Sequence, residues 1–155
     1  MSDVKVHRVK YRLARQLRAG AQLSVTTALG GAKDRVKKLE PAILAAIDDE
    51  IAGMDAAVGD LGRGDAAAVS RLYQAANRLL GLAGAAPRLE ALGKAALSLC
   101  ELLDALDGVP ADFRPIAVHI DALRILRTQL PERDQFLVLG GLSKVRSHKP
   151  RRADA

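Results

Sequence analysis

Aromatic residues and cysteine are both scarce in this chain of 155 residues. Phenylalanine and tyrosine together make up 3% of the sequence, and tryptophan is absent. Few aromatic rings are available to stack on exposed bases, which argues against nucleic acid as a partner. The single Cys100 excludes an intramolecular disulfide and any zinc site built on paired thiolates. We interpret it as a small buried hydrophobe.

Long apolar runs are missing as well. No stretch reaches the roughly 20 residues that a membrane-spanning helix needs. The basic N-terminal region is not followed by the uninterrupted hydrophobic segment that marks a secretory signal. We therefore expect no transmembrane segment and a soluble chain located in the cytoplasm.

The hydrophobic residues that are present favour helices. They make up 49% of the chain, and alanine and leucine dominate them. Both residues rank at the top of the helix-propensity scale, whereas strands are enriched in β-branched and aromatic side chains. The composition therefore predicts an all-α protein.

Apolar residues recur at steps of three and four, the spacing of one face of a helix. Glycine and proline divide this pattern into segments, and Pro41 is expected to break it or to open a new turn. Four amphipathic segments joined by short turns predict an antiparallel four-helix bundle over residues 23–131. A basic N-terminal helix or arm over residues 1–22 would precede it. Residues 132–155 would form a short helix and a basic disordered tail.

The net charge of +6 is concentrated at the two ends. Residues 1–20 carry +5 and residues 141–155 carry +4, which leaves −3 for the rest of the chain. Basic ends can bind an anionic membrane or nucleic acid, steer the protein to acidic partners, or simply keep it soluble. The N-terminal helix is also a candidate contact with a second copy of the chain.

The most informative stretch surrounds Asn77. Its flanking residues include Ala76, Leu79 and Gly81. An Ala/Leu-rich helix follows after a turn of small residues that ends at Pro87. This stretch resembles the histidine phosphotransfer (Hpt) domains of bacterial phosphorelays and chemotaxis kinases. Their motif reads alanine, histidine, any residue, leucine, lysine, glycine.

Two positions depart from the Hpt motif, and both carry its chemistry. Asn77 stands where the phosphoaccepting histidine would be, and Leu80 stands where a lysine would assist the phosphoryl group. An amide nitrogen is not nucleophilic because its lone pair is delocalised into the carbonyl group, and leucine offers no cation. The resemblance therefore implies a protein that is not an enzyme and does not carry phosphate at Asn77.

Although it excludes phosphoryl transfer at Asn77, the resemblance still implies a docking surface. It implies an adaptor that binds the receiver domain of a response regulator, or a sensor or chemotaxis kinase, and modulates phosphoryl flow. The implied partner-binding residues are Ser70, Tyr73, Gln74, Asn77, Arg78, Leu80, Gly81 and Gly84. The alternative interpretation of Asn77 is an ordinary polar residue on the surface of a bundle helix.

His119 supports a second hypothesis, that of an active phosphotransfer protein with a relocated acceptor. It lies beside the inward stripe of its predicted helix, where a half-buried histidine hydrogen-bonded to a neighbour is the more common case. A third hypothesis is a nucleic-acid-binding or scaffolding bundle that acts through its basic ends.

No metal or cofactor is expected. His7 and His148 lie in the basic ends, too far from the third histidine in sequence for a helical pair of metal ligands. Asp48, Asp49 and Glu50 form an acidic cluster, which we interpret as a solvated helix face rather than a magnesium site.

Overall fold

The computed structural model describes residues 25–106, 108, 110 and 112–147. Within these ranges the regular structure is entirely helical, with no strand, and the predicted all-α class is confirmed. The helices are α1 (Val25–Gly62), α2 (Ala67–Gly84), a short 3-10 helix (Pro87–Leu89), α3 (Glu90–Asp104), α4 (Arg114–Arg127) and α5 (Glu132–Ser147). The predicted N-terminal arm at 1–22 and the tail after Ser147 lie outside the described residues.

The expected break at Pro41 is wrong, because α1 continues through this proline for a total of 38 residues. A proline inside a helix lacks the N–H group that would bond to the carbonyl oxygen four residues earlier, here that of Lys37. The chain divides into two compact units at this point, between Lys37 and Lys38. Residues 25–37 of α1 belong to the first unit, and all the helices described below belong to the second.

The second unit has one hydrophobic core. Along α1 the buried side chains step by three and four residues, as the sequence predicts: Ile47, Ile51, Met54, Ala57 and Leu61. The other helices contribute stripes with the same spacing, and Leu72, Leu79, Leu92, Leu99, Ile116, Ile120 and Leu123 are the largest buried side chains among them. Each of these helices therefore presents one apolar face to the core.

Ion pairs show that α1 and α2 run in opposite directions. Glu50 of α1 holds Arg78 of α2, and ten residues further along α1, Asp60 accepts a hydrogen bond of 2.6 Å from Arg71. Arg71 also bonds to Asp65 in the turn, and this contact holds the pKa of the Asp65 carboxyl below its ordinary value. Arg71 thus joins the end of α1, the turn and the start of α2.

The opposite edge of α1 meets α4, again in antiparallel orientation. Asp48 pairs with Arg127, whose Nε and Nη2 atoms reach the two carboxylate oxygens at 2.7 and 2.5 Å. Two turns later Asp55 pairs with Arg124. The two edges of the buried stripe on α1 therefore carry acidic residues, one edge facing α2 and the other α4.

The third and fifth helices complete the packing. α3 contacts both α2 and α4, and it approaches α2 closely at Gly93, where a Cβ atom would lie 3.2 Å from the Cβ atom of Ala83. α5 packs on α3 and α4, buries Leu142 and pairs its Arg146 with Glu101 of α3. The helix expected after Pro131 therefore exists and is a packed part of the unit.

Candidate functional site

All eight residues implied as a docking surface lie on α2. Its buried face consists of Ala68, Leu72, Ala75, Ala76, Leu79 and Ala83. Of the eight residues, Leu80 is half-buried and packs partly against the core, and the other seven are exposed: Ser70, Tyr73, Gln74, Asn77, Arg78, Gly81 and Gly84. The exposure of Asn77 follows from the helical period, because Ala76 and Leu79 on either side of it occupy the core.

An apolar groove adjoins this surface between the C-terminal half of α2 and the N-terminal half of α3. It has a volume of about 330 Å³ and is lined by Leu80 and Gly84 of α2 and by Gly93, Lys94 and Leu97 of α3, among other residues. Leu97 is 45% exposed, so this groove offers a large apolar side chain to solvent.

A second groove lies at the opposite end of the same helix pair. Ser70 and Tyr73 of α2 line it together with Leu103, Asp104 and Leu106, and its volume is about 460 Å³. Tyr73, Asn77, Leu80 and Gly84 are separated by four, three and four residues, which places them on one stripe of the helix. Asn77 therefore lies between the two grooves, and we call the two grooves with this stripe the α2–α3 cleft.

The glycines of α2 and α3 differ in what surrounds them. A Cβ atom at Gly81 or Gly84 would meet no heavy atom within 4 Å, so packing within the described chain does not require glycine at either position. At Gly93, by contrast, the nearby Cβ atom of Ala83 leaves little room for a side chain. Sequence reasoning missed Gly93, which has no local signal because the close contact comes from another helix.

Arg78 lies on the other side of α2, away from the cleft. Its Nε and Nη2 atoms donate to the two carboxylate oxygens of Glu50 at 2.6 and 2.9 Å, and this contact raises the pKa of Arg78. Gln74 lies within 3.5 Å of Ser70 on the solvent side. The structure thus places Ser70, Tyr73, Leu80 and Gly84 in the grooves, Asn77 between them, and Arg78 in a contact with α1.

His119 is fully buried, whereas the sequence indicated a half-buried side chain. Its Nδ1 atom lies 2.7 Å from the carbonyl oxygen of Pro115, and its Nε2 atom lies 3.1 Å from the hydroxyl of Ser98. Because a carbonyl oxygen only accepts, Nδ1 carries the proton and Nε2 accepts from Ser98. Burial lowers the pKa of His119. This geometry offers no exposed ring nitrogen to a phosphoryl group.

The acidic cluster on α1 is not simply solvated. Asp48 and Glu50 belong to the ion pairs with α4 and α2, while Asp49 is exposed. The sequence shows that α2 and α4 carry arginines that could pair with these acids. The spacing of residues along one helix, however, cannot show which arginine pairs with which acid on another helix. Across the described ranges, no three side chains of histidine, cysteine, aspartate or glutamate group into a potential metal site.

Cys100 behaves as the sequence predicts. It is buried in α3, and its burial raises the pKa of the thiol. A thiol with a raised pKa forms little thiolate, which fits the interpretation of Cys100 as a small buried hydrophobe.

No family model, curated protein or solved structure matches this chain. None of the helices in the described part of the chain is long and apolar enough to cross a membrane.

Proposed function

We propose that this chain is a non-catalytic Hpt-like adaptor of a bacterial two-component or chemotaxis system. It acts in the cytoplasm and binds the receiver domain of a response regulator, or a sensor or chemotaxis kinase, through the α2–α3 cleft. By occupying its partner it modulates phosphoryl flow without carrying the phosphoryl group itself.

The helix contacts support an Hpt-like arrangement. α1 runs antiparallel to both α2 and α4, and α3 contacts the same two helices. Each of the four helices therefore has two of the others as neighbours, which is the pattern of a four-helix bundle. α5 is an addition that packs on α3 and α4.

The observation that carries the proposal is the position of Asn77. It is exposed on α2, one turn before Gly81, where the Hpt motif would present its histidine to a partner. Its amide cannot accept a phosphoryl group, because the nitrogen lone pair is delocalised. The surface for docking is thus retained while the reactive atom is replaced.

The chemistry of the cleft suits a receiver domain. Leu80 and Leu97 supply apolar contact area, and Lys94 supplies a cation at the rim. Lys94 pairs with Glu90 at 2.7 Å, an exposed contact of the kind that contributes little and can be exchanged for another carboxylate. Glu90 also lines this groove and Asp104 lines the other, so the apolar residues provide most of the docking surface, and Lys94 provides one local contact for the acidic phosphorylation pocket of a receiver domain.

A labelled phosphotransfer assay combined with calorimetry tests the proposal. We expect that a phosphorylated kinase and its response regulator leave no label on this chain, while one of the two binds it measurably. Leu80→Glu and Leu97→Glu should each weaken that binding, because they place a carboxylate against an acidic partner. Ile125→Glu, at a position on α4 that is 46% exposed compared with 45% for Leu97, is the matched control for Leu97→Glu. Because Leu80 packs partly against the core, circular dichroism has to show that Leu80→Glu is folded.

Two results would contradict the adaptor. A phosphohistidine on the wild-type chain would make it a relay protein, with His119 as the first residue to examine. Binding that is weakened equally by the α2–α3 variants and by Ile125→Glu would show that the cleft is not the docking site.

A further inference from the structure

The outward side of α5 is apolar where a surface helix is usually polar. Phe136 is 76% exposed and Leu137 is 64% exposed, the two highest values among the large hydrophobic residues of the described chain. They do not belong to the inward face of α5, where Leu142 is buried and Val138 and Leu139 pack against the core. Exposed neighbouring apolar side chains of this size commonly mark a contact with another molecule.

Cations flank these two side chains on the same side of the helix. Arg133, Leu137, Gly140 and Lys144 are separated by four, three and four residues, so they form one stripe along α5. Arg133 and Lys144 are exposed, whereas Arg146 turns toward α3 and pairs with Glu101. We call Arg133, Phe136, Leu137, Gly140 and Lys144 the α5 outer face.

Glycine in the middle of this face allows a partner to come close. A Cβ atom at Gly140 would meet no heavy atom within 4 Å, and the same holds for Gly141. A second helix that crosses at Gly140 can therefore approach the backbone while it packs against Phe136 and Leu137. The cations at the two ends of the stripe would then lie beside it.

We propose that the α5 outer face binds an acidic amphipathic helix of a partner protein. The apolar residues of that helix pack on Phe136 and Leu137, and its carboxylates pair with Arg133 and Lys144. This surface lies on a different helix from the α2–α3 cleft and does not depend on the function proposed for the cleft.

Charge argues against occupants from this chain. Residues 1–20 carry a net charge of +5, so the N-terminal segment would be repelled by the same two cations. The α5 outer face of a second copy would bring four cations together, and the stripe itself contains no carboxylate. Neither arrangement gains the ion pairs that an acidic helix would provide.

A membrane surface fits less well than a helix. The apolar part of the face is confined to one turn and is followed by two glycines, which add nothing to insertion into lipid. Glu132 and Asp134 flank the N-terminal end of the face and would repel anionic headgroups and the carboxylates of a partner helix alike, so they do not distinguish the two occupants. The glycines do, because only a closely packed helix makes use of them.

Two synthetic helical peptides test the proposal by fluorescence anisotropy on the full chain. Both carry leucine on one face, and they differ in having glutamate or lysine on the flanks. We expect the glutamate peptide to bind and the lysine peptide not to bind. Phe136→Ser combined with Leu137→Ser should weaken binding by about tenfold or more, because such anchors dominate interface energetics.

Charge reversal supplies the most specific outcome. Arg133→Glu combined with Lys144→Glu should reverse the preference, so that the lysine peptide binds better than the glutamate peptide. The matched control is Val118→Ser combined with Ile125→Ser, which removes exposed apolar side chains from α4 and should leave binding unchanged. Helicity and thermal unfolding are the measurements that check whether each variant is folded.

Several results would overturn the proposal. If the Phe136 and Leu137 variant binds the glutamate peptide as well as wild type does, the basic ends and not the α5 outer face attract it. Binding to phosphatidylglycerol vesicles that is lost in the same variant would assign the face to a lipid surface. Self-association in sedimentation that is lost in this variant would assign it to a second copy.

Discussion

The substitution Gly81→Ala should affect the stability of α2 and its proposed docking role in opposite directions, and the two effects can be measured independently. Gly81 is exposed in the interior of α2, and a Cβ atom there would meet no heavy atom within 4 Å. Its backbone is helical, so alanine can adopt the same conformation without strain. If Gly81 has no docking role, Gly81→Ala should stabilise the fold and leave partner binding unchanged.

The gain in stability follows from helix propensity. Glycine inside a helix is less favourable than alanine by about 0.5–1 kcal/mol, and no lost contact reduces this difference at Gly81. For a chain of this length the melting temperature should rise by about 1–4 °C. Gly81 lines neither groove but lies one turn after Asn77, at the edge of the α2–α3 cleft, so a Cβ atom there would protrude toward a docked partner. Overpacking of about 1–3 kcal/mol would then weaken partner binding by about fivefold or more.

Thermal unfolding followed by circular dichroism measures the first effect, and calorimetric titration with the receiver domain or kinase measures the second. Gly53→Ala is the matched control, because Gly53 is also exposed, within α1, and without a neighbour within 4 Å. It should stabilise the fold to a similar degree and leave binding unchanged. Equal affinities of the two alanine variants would refute a docking role for Gly81.

Two further predictions concern Asn77 and His119. Asn77→His combined with Leu80→Lys should restore an acid-labile phosphoryl group on α2 when a phosphorylated kinase or receiver domain is supplied. Wild type and Leu80→Lys alone should stay unlabelled. An unlabelled double variant would contradict the Hpt-like alignment. His119 should govern part of the pH dependence of stability. Because burial lowers its pKa in the folded state, the unfolded chain takes up the proton first, and stability should be full above about pH 6.5 and fall as the pH drops toward the folded-state pKa. His119→Gln should flatten this decline in urea unfolding at a series of pH values, and parallel wild-type and variant profiles would contradict the assignment.

Features that repeat along one helix could be predicted from the sequence. The inward stripe of α2 follows from the spacing of Leu72, Ala76, Leu79 and Ala83, and the exposure of Asn77 follows from the same period. The burial or exposure of each of these side chains can be predicted from the residues three and four positions away in sequence. No knowledge of another helix is needed.

Features that depend on a second helix could not be predicted. The buried His119 has its Nε2 atom satisfied by Ser98, which lies 21 residues away in sequence on another helix. The grooves exist only where α3 meets α2. Pro41 is a different case, because a local rule for helix breaking gave way to the helix-forming residues on both sides of it.

The acidic edges of α1 have a consequence for how the helices choose their neighbours. Arginines of α2 meet one edge and arginines of α4 meet the other, so opposite charge attracts both helices equally to either side. Attraction of this kind cannot distinguish the observed arrangement from its mirror-related alternative, in which α2 and α4 exchange sides. That distinction has to come from the apolar packing of the core. The turn from Arg63 to Ala66, held by Arg71 to Asp60 and Asp65, fixes a different property, namely that α2 returns antiparallel beside α1.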